Sequence, residues 1–290
     1  MPHKLFYNAD YNACDYSFDT TRKSSEIVDS LDDDGAVQIV SPREWTFTTE
    51  RLVRTVHSKE YVEAVKTGSP LGLAESQGFI WDADIYTMAI AHNAGVVAAV
   101  DNALVAGDRF TGTLSSGLHH AKREEGEGFC TFNGLSVASQ HALNHGAERV
   151  LILDFDAHFG GGTRSTTDAE KVIQVDVSTN YFDFYKVAND FDYIWCAGVD
   201  DYIKQIARAL KHATSLGQFD LVLYNAGMDP ANQGIEYEVL SERERLVREW
   251  AETTNFPLAY TMAGGYLGAD LDIDELVALH RLTIDTFAAA

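Results

Sequence analysis

The sequence predicts an α/β protein: a single domain over residues 1–290, with a central, mostly parallel sheet flanked by helices. Three observations predict it. Apolar runs at Val150–Leu153, Val172–Val175 and Leu221–Leu223 alternate with helical stretches, and strands that alternate with helices make parallel sheets. A chain of 290 residues with 46% hydrophobic content suits one large core. No repeat, low-complexity tract or linker rich in Pro, Gly or Ser divides it.

Taken in order, Glu60–Lys66 and Ile85–Ala106 read as helices, the second rich in small residues from Asn93 onward. Val150–Leu153 runs into Asp154, Asp156 and His158 and then Gly160, Gly161 and Gly162. An apolar run ended by glycines reads as a buried strand. Val172–Val177 is a further strand, followed by a helix over Ile203–Leu216. Leu221–Tyr224 is the next strand, with Asp229 and Pro230 just past its end. Ser241–Thr253 reads as a helix. The apolar segment Pro257–Tyr260 leads to Gly264-Gly265-Tyr266, a tight turn with a tyrosine at its tip. Asp274–Ala288 closes the pattern as a helix.

The strand ends carry the chemistry. Side chains at i and i+2 of a strand share a face, so Asp156 and His158 are expected to aim at one point. They do so at a carboxyl end, where open α/β sheets bind ligands. Asp229 completes a set of three. Zinc takes imidazole and carboxylate ligands and keeps a position open in catalytic sites; Fe²⁺ or Co²⁺ suit the same donors. His119 and His120 are adjacent. Two imidazoles beside a metal-activated water would take its proton and return it to a leaving group. A phenol at Tyr266 would hydrogen-bond a developing oxyanion. Singly, each signal has a plainer reading: an Asp after a strand is most often a cap or turn residue, and a His-His pair is as often structural.

Together the segments Gly117–Ala121, Gly128–Asn133, Asp154–Thr163, Ala226–Asp229 and Gly264–Tyr266 resemble, in order, the motifs of the histone deacetylase family. That family includes acetylpolyamine amidohydrolases and bacterial deacetylase-like amidohydrolases. His57-Ser58-Lys59-Glu60-Tyr61 and Gln77-Gly78-Phe79 extend the resemblance upstream. It implies the arginase/deacetylase-like fold and a zinc amidohydrolase acting on an acyl-lysine peptide or an acetylpolyamine. Asp156, His158 and Asp229 would ligate zinc. His119 and His120 would be the catalytic pair, with His120 the essential base, and Tyr266 would polarise the carbonyl. Gly128 and Phe129 would line the substrate tunnel, with Phe184 or Tyr185 as the opposite wall. Asp154 would orient His119 and, near Asp176, help hold a structural K⁺.

Departures from the family pattern are specific. Phe159 stands where a second His is common, and Asp176 where a Ser is common. Gly161 stands where an Asp or Asn usually orients the second His, so His120 must find a partner elsewhere or do without one. Gly161→Asp is expected to restore that partner. These departures suggest an alternative: a catalytically weak protein of this fold that binds acylated ligands. A two-manganese site of the arginase type would need acids at positions 160 and 227, which are Gly160 and Gly227.

Charge and cysteine count bound the rest. Against 22 basic residues stand 44 acidic ones, for a net charge of −22. That argues against direct nucleic-acid binding, which needs cationic contacts to phosphate. The acids, Asp32-Asp33-Asp34 among them, read as a solubilising surface, and an acidic rim would also attract a cationic acylated amine. The cysteines Cys14, Cys130 and Cys196 make no disulfide framework or cysteine-rich zinc site. Met1–Tyr7 lacks the apolar region of a signal peptide. No apolar run is expected to reach the length of a membrane span. The expected location is cytoplasmic, and the sequence leaves the oligomeric state open.

Overall fold

The computed structural model describes residues 2–14, 22–31, 35–187, 190–268 and 271–289. The run Asp32-Asp33-Asp34 lies outside them. One eight-stranded sheet, every pair parallel, organises the chain. Its strands are β1 (His3–Phe6), β2 (Val37–Val40), β3 (Phe110–Thr113), β4 (Val150–Asp154), β5 (Val172–Ser178), β6 (Tyr193–Cys196), β7 (Leu221–Gly227) and β8 (Leu258–Ala263). Their order is β2-β1-β3-β8-β7-β4-β5-β6.

The central strands β4, β5, β7 and β8 are buried along their whole length. That is the physical meaning of their unbroken apolar runs: parallel strands are covered by helices on both faces. Each fully buried Val, Leu or Ile contributes about 1.5–3 kcal/mol. The edge strands β2 and β6 are short and only partly buried. The helix over Tyr202–Ser215 turns an apolar face inward and a charged face to solvent, as surface helices do, and the helix over Tyr237–Thr254 does the same but also buries Arg243 and Glu244.

The helix Ile85–Asp101 differs. It is buried on nearly every side and continues as a π-helical turn over Asn102–Ala106. Ile85–Ala106 is long and apolar enough, at 22 residues, to meet the length and composition of a membrane span. The expectation that no run reaches that length is therefore corrected. In the fold, 78% of its most apolar window is buried inside the protein. Its Ala, Gly and Val side chains let neighbouring elements approach closely, which suits a core helix.

Register sets up the next level. Asp154 lies opposite Asp176 on one side and Asn225 on the other, and Asn225 lies opposite Thr261. Polar side chains thus form a row across the carboxyl ends of β5, β4, β7 and β8.

Candidate active site

The row is hydrogen-bonded. Thr261 Oγ1 donates to Asn225 Oδ1 at 2.8 Å, and Asn225 Nδ2 donates to Asp154 Oδ1 at 2.8 Å. Asp154 Oδ2 lies 2.7 Å from His119 Nδ1. The sheet thereby fixes one imidazole of the pair. Burial opposes charge on His119, but Asp154 and Asp156 outweigh it and raise its pKa to about 10.

Asp156, His158 and Asp229 converge. His158 Nδ1 lies 3.2 Å from Asp156 Oδ1 and 3.2 Å from Asp229 Oδ2. The route differs from the strand argument. β4 ends at Asp154, and residues 156–158 form a bend. His158 backbone N–H donates to Asp156 Oδ1 at 2.9 Å, so the bend, not the pleat, brings the two side chains together. Asp229 sits just beyond β7. The group fits a cation. Asp229 Oδ1 is buried without a hydrogen-bond partner. Burial and Asp156 push Asp229 up to about 6. Burial opposes a charge on His158, yet Asp156 and Asp229 raise it to about 10. Side chains at the two positions that a bridging pair of acids would need have no room. A Cβ at Gly160 would lie 2.7 Å from Asp154 Oδ2, and one at Gly227 would lie 2.4 Å from Asp156 Cα.

Asp154 and Asp176 lie side by side on neighbouring strands as a second pair of carboxyl groups. Asp176 Oδ2 accepts from Gly160 N–H at 2.9 Å and Gln174 Nε2 at 3.1 Å, while its Oδ1 is buried and unpartnered. Burial and then Asp154 hold Asp176 well above the usual carboxylate range. Among the described residues one further His/Asp group, Asp101, His141 and His145, lies apart from this site.

His120 has a partner that the sequence reading missed. Its Nδ1 lies 2.9 Å from Asp183 Oδ2, and the same oxygen accepts from Gly162 N–H at 2.9 Å. Gly161 cannot be refilled as expected: a Cβ there would lie 2.4 Å from both the carbonyl oxygen and Oδ1 of Asp183. Burial and the neighbouring His119 lower His120 to about 4, against the pull of Asp183.

A cavity of about 780 Å³, counting its open mouth, reaches these groups. Phe79, Gly128, Phe129 and Tyr266 line its outer part. Gly128 and Phe129 both take positive φ, +54° and +62°, which thrusts the Phe129 ring outward to 38% exposure. Gly264 and Gly265, at φ +57° and +85°, make the turn that carries Tyr266 toward Phe129. Burial, then Asp229 and Asp156, hold the Tyr266 phenol above its ordinary pKa, so it remains a donor.

The opposite wall needs correction. Phe184 is half-exposed and packs its edge on Phe159 at 5.3 Å. The Tyr185 hydroxyl is buried, on the side of Asp176 and Asp192. Phe182 instead stands edge-on to His120 at 4.9 Å, facing Gly128. Spacing alone could not separate three aromatics within four residues. Lys23, also unforeseen, lies in the deep part of the cavity and donates to Gly264 O at 2.6 Å. Burial lowers it to about 8, partly offset by Asp229 and Asp156. Fully buried Arg243 braces the strand ends, donating to Phe155 O at 3.1 Å and Gly227 O at 2.7 Å, with Glu244 as counter-charge.

Comparison with known proteins follows the geometry. The histone deacetylase domain model matches residues 18–278. The chain belongs to the histone deacetylase family. Membership makes it a deacetylase-family hydrolase. It is 28% identical over 263 residues to an uncharacterized protein of Picosynechococcus sp., covering 86% of each. It is 32% identical over 148 residues to Polyamine deacetylase HDAC10 of Homo sapiens, covering 48% of this chain and 21% of that protein. The aligned segment thus spans about a fifth of that relative's length. The acetylpolyamine aminohydrolase from Burkholderia pseudomallei superposes with a TM-score of 0.78 over 99% of both chains at 16% identity, a likeness of fold.

Proposed function

We propose that this deacetylase-family protein is a metal-dependent amidohydrolase that removes an acetyl or other acyl group from an acylated amine. One observation carries the reading: Asp156, His158 and Asp229 converge beside a cavity that also presents His119, His120 and Tyr266. These ligands suit Zn²⁺, with Fe²⁺ or Co²⁺ as other occupants. A bound divalent ion would polarise the amide carbonyl and acidify a water.

The chain's own residues do the rest. His120, neutral and bonded through Nδ1, accepts the proton of the attacking water at Nε2. His119, hydrogen-bonded through Nδ1 to Asp154 at 2.7 Å, offers a proton to the departing amine nitrogen. Tyr266 donates to the carbonyl oxygen as it gains charge. Water adds to the carbonyl carbon, the C–N bond breaks, and a carboxylic acid and a free amine leave. Phe79, Gly128, Phe129 and Tyr266 are the walls for an acyl-amine chain. The net charge of −22 favours a cationic amine or a Lys-rich peptide over nucleic acid. Asp154 and Asp176 are the residues that would hold a structural K⁺.

The partner that His120 finds in Asp183 supports an enzyme over the weakly catalytic binding protein that Gly161 suggested. Phe159, the other departure, is buried and packed on Phe184, away from the cavity lining. The test is a panel assay of acetyl-lysine peptides and acetylpolyamines on the wild type and on Tyr266→Phe. Hydrolysis is expected, and the variant should lose roughly 10²–10³ in turnover. Equal turnover in the two would remove Tyr266 from the mechanism.

A further inference from the structure

The loop after β5 does something that no strand-end pattern encodes. It returns from the sheet and lays Asp183 against His120 and Gly162. The Asp183 side chain is only 7% exposed, although it sits on a loop. Its backbone takes φ +55°, a conformation that costs a residue with a side chain. Something must compensate for burying a carboxylate on a strained backbone. Two N–H donors do so at one oxygen, the Nδ1 of His120 and the backbone N–H of Gly162, each at 2.9 Å. Room for this arrangement exists because residue 161 is glycine; any Cβ there would overlap the Asp183 carbonyl and carboxylate at 2.4 Å. A carboxylate at Asp183 and a side chain at position 161 are therefore mutually exclusive.

We propose that Asp183 is the positioning residue of His120: its carboxylate accepts the Nδ1–H, fixes the ring and its tautomer, and leaves Nε2 as the acceptor. Asp183 does not touch substrate; it acts through His120. Hydrogen-bonded partners of this kind set the tautomer of working imidazoles. The neighbouring Phe182 presses edge-on against the same ring at 4.9 Å, so consecutive residues hold His120 in position and in plane. This assignment rests on the amidohydrolase reading for its kinetic consequence, but not for its geometry.

The test uses Asp183→Gly and Asp183→Asn in the full chain. Glycine adopts φ +55° freely, so its effect is not one of backbone strain. Asparagine keeps the shape and an acceptor oxygen without the charge. The first readout needs no turnover: the downfield imidazole N–H proton signal in NMR that His120→Ala abolishes. It should be present in the wild type, lost in Asp183→Gly and retained, shifted, in Asp183→Asn. The second readout is kinetic. Asp183→Gly should lower kcat by about 10–100-fold with KM and metal content unchanged, and should move the pH–rate profile. Asp183→Asn should recover part of the loss. An unchanged NMR signal in Asp183→Gly, or an unchanged kcat and pH profile, overturns the assignment. If the signal behaves as expected but no acyl-amine is hydrolysed by any form, the functional reading falls and the positioning contact stands.

Discussion

His57 makes the fold sensitive to acid, and the size of the effect follows from its two hydrogen bonds. The residue has no solvent exposure. Its Nδ1 lies 2.8 Å from Lys122 O and so carries the proton. Its Nε2 accepts the backbone N–H of Asn133 at 3.0 Å. A second proton on Nε2 would face that N–H, donor against donor. Burial, reinforced by Arg123 against the Lys122 carbonyl, lowers the pKa from 6.5 to about 4. The folded state therefore favours the neutral ring. The contribution is fully present above pH 6.5 and is lost as pH falls toward 4. A shift of that size is worth about 3 kcal/mol, of which about 2 kcal/mol is gone by pH 5. The consequence reaches the site. Asn133 Nδ2 holds the carbonyls of His119 and Ala121 at 3.1 and 3.0 Å, so His57 latches the segment that bears the imidazole pair. His3 and His92, also lowered to about 4 by burial, add to the acid loss. The assay must therefore isolate His57. Urea unfolding at pH 7.5 and pH 5 on the wild type and on His57→Gln does so. The variant, which cannot titrate, should lose about 2 kcal/mol less between the two pH values. An identical pH dependence in both proteins would refute the argument.

Further outcomes follow from other contacts. A Cβ at Gly264 would lie 1.6 Å from Asp229 Oδ1, so Gly264→Ala should displace that carboxylate and abolish metal retention in elemental analysis; wild-type metal content would refute the crowding. Arg243→Ala leaves the Glu244 carboxylate buried without its counter-charge, with only the Tyr224 hydroxyl as donor. It should cost about 3–5 kcal/mol in chemical denaturation, and a loss below about 1 kcal/mol would show that the pair is not needed.

Much of the architecture was legible because parallel strands announce themselves. The runs at Val150, Val172 and Leu221 are buried on both faces, so each reads apolar without interruption, and each is a strand. The helical readings at Glu60, Ile203, Ser241 and Asp274 likewise fall on helices. The strands that escaped reading are only four residues long; His3–Phe6, Val37–Val40 and Phe110–Thr113 are mixed in polarity, and Tyr193–Cys196 is apolar but too short to stand out. Two of them are edges, half in solvent, where no periodic pattern is required. The site divides in the same way. Residues at the ends of long central strands, Asp154 and Asp229, could be placed from sequence. Asp156 and His158 were paired for the wrong local reason, because a bend takes over where the pleat was assumed. Asp183, Phe182 and Lys23 come from segments whose course depends on tertiary packing. Gly161 alone hinted at Asp183, since a glycine in a crowded site marks the space that another side chain occupies.

The central claim is that Asp156, His158 and Asp229 hold one divalent ion on which hydrolysis depends. Elemental analysis of purified wild type and Asp229→Ala, paired with hydrolysis of an acetylated amine before and after chelation, tests it most directly. The account predicts close to one ion per wild-type chain, little in the variant, and activity that disappears with chelation and returns with added Zn²⁺. Two tightly bound transition metals per chain, or undiminished hydrolysis by metal-free protein, would contradict it.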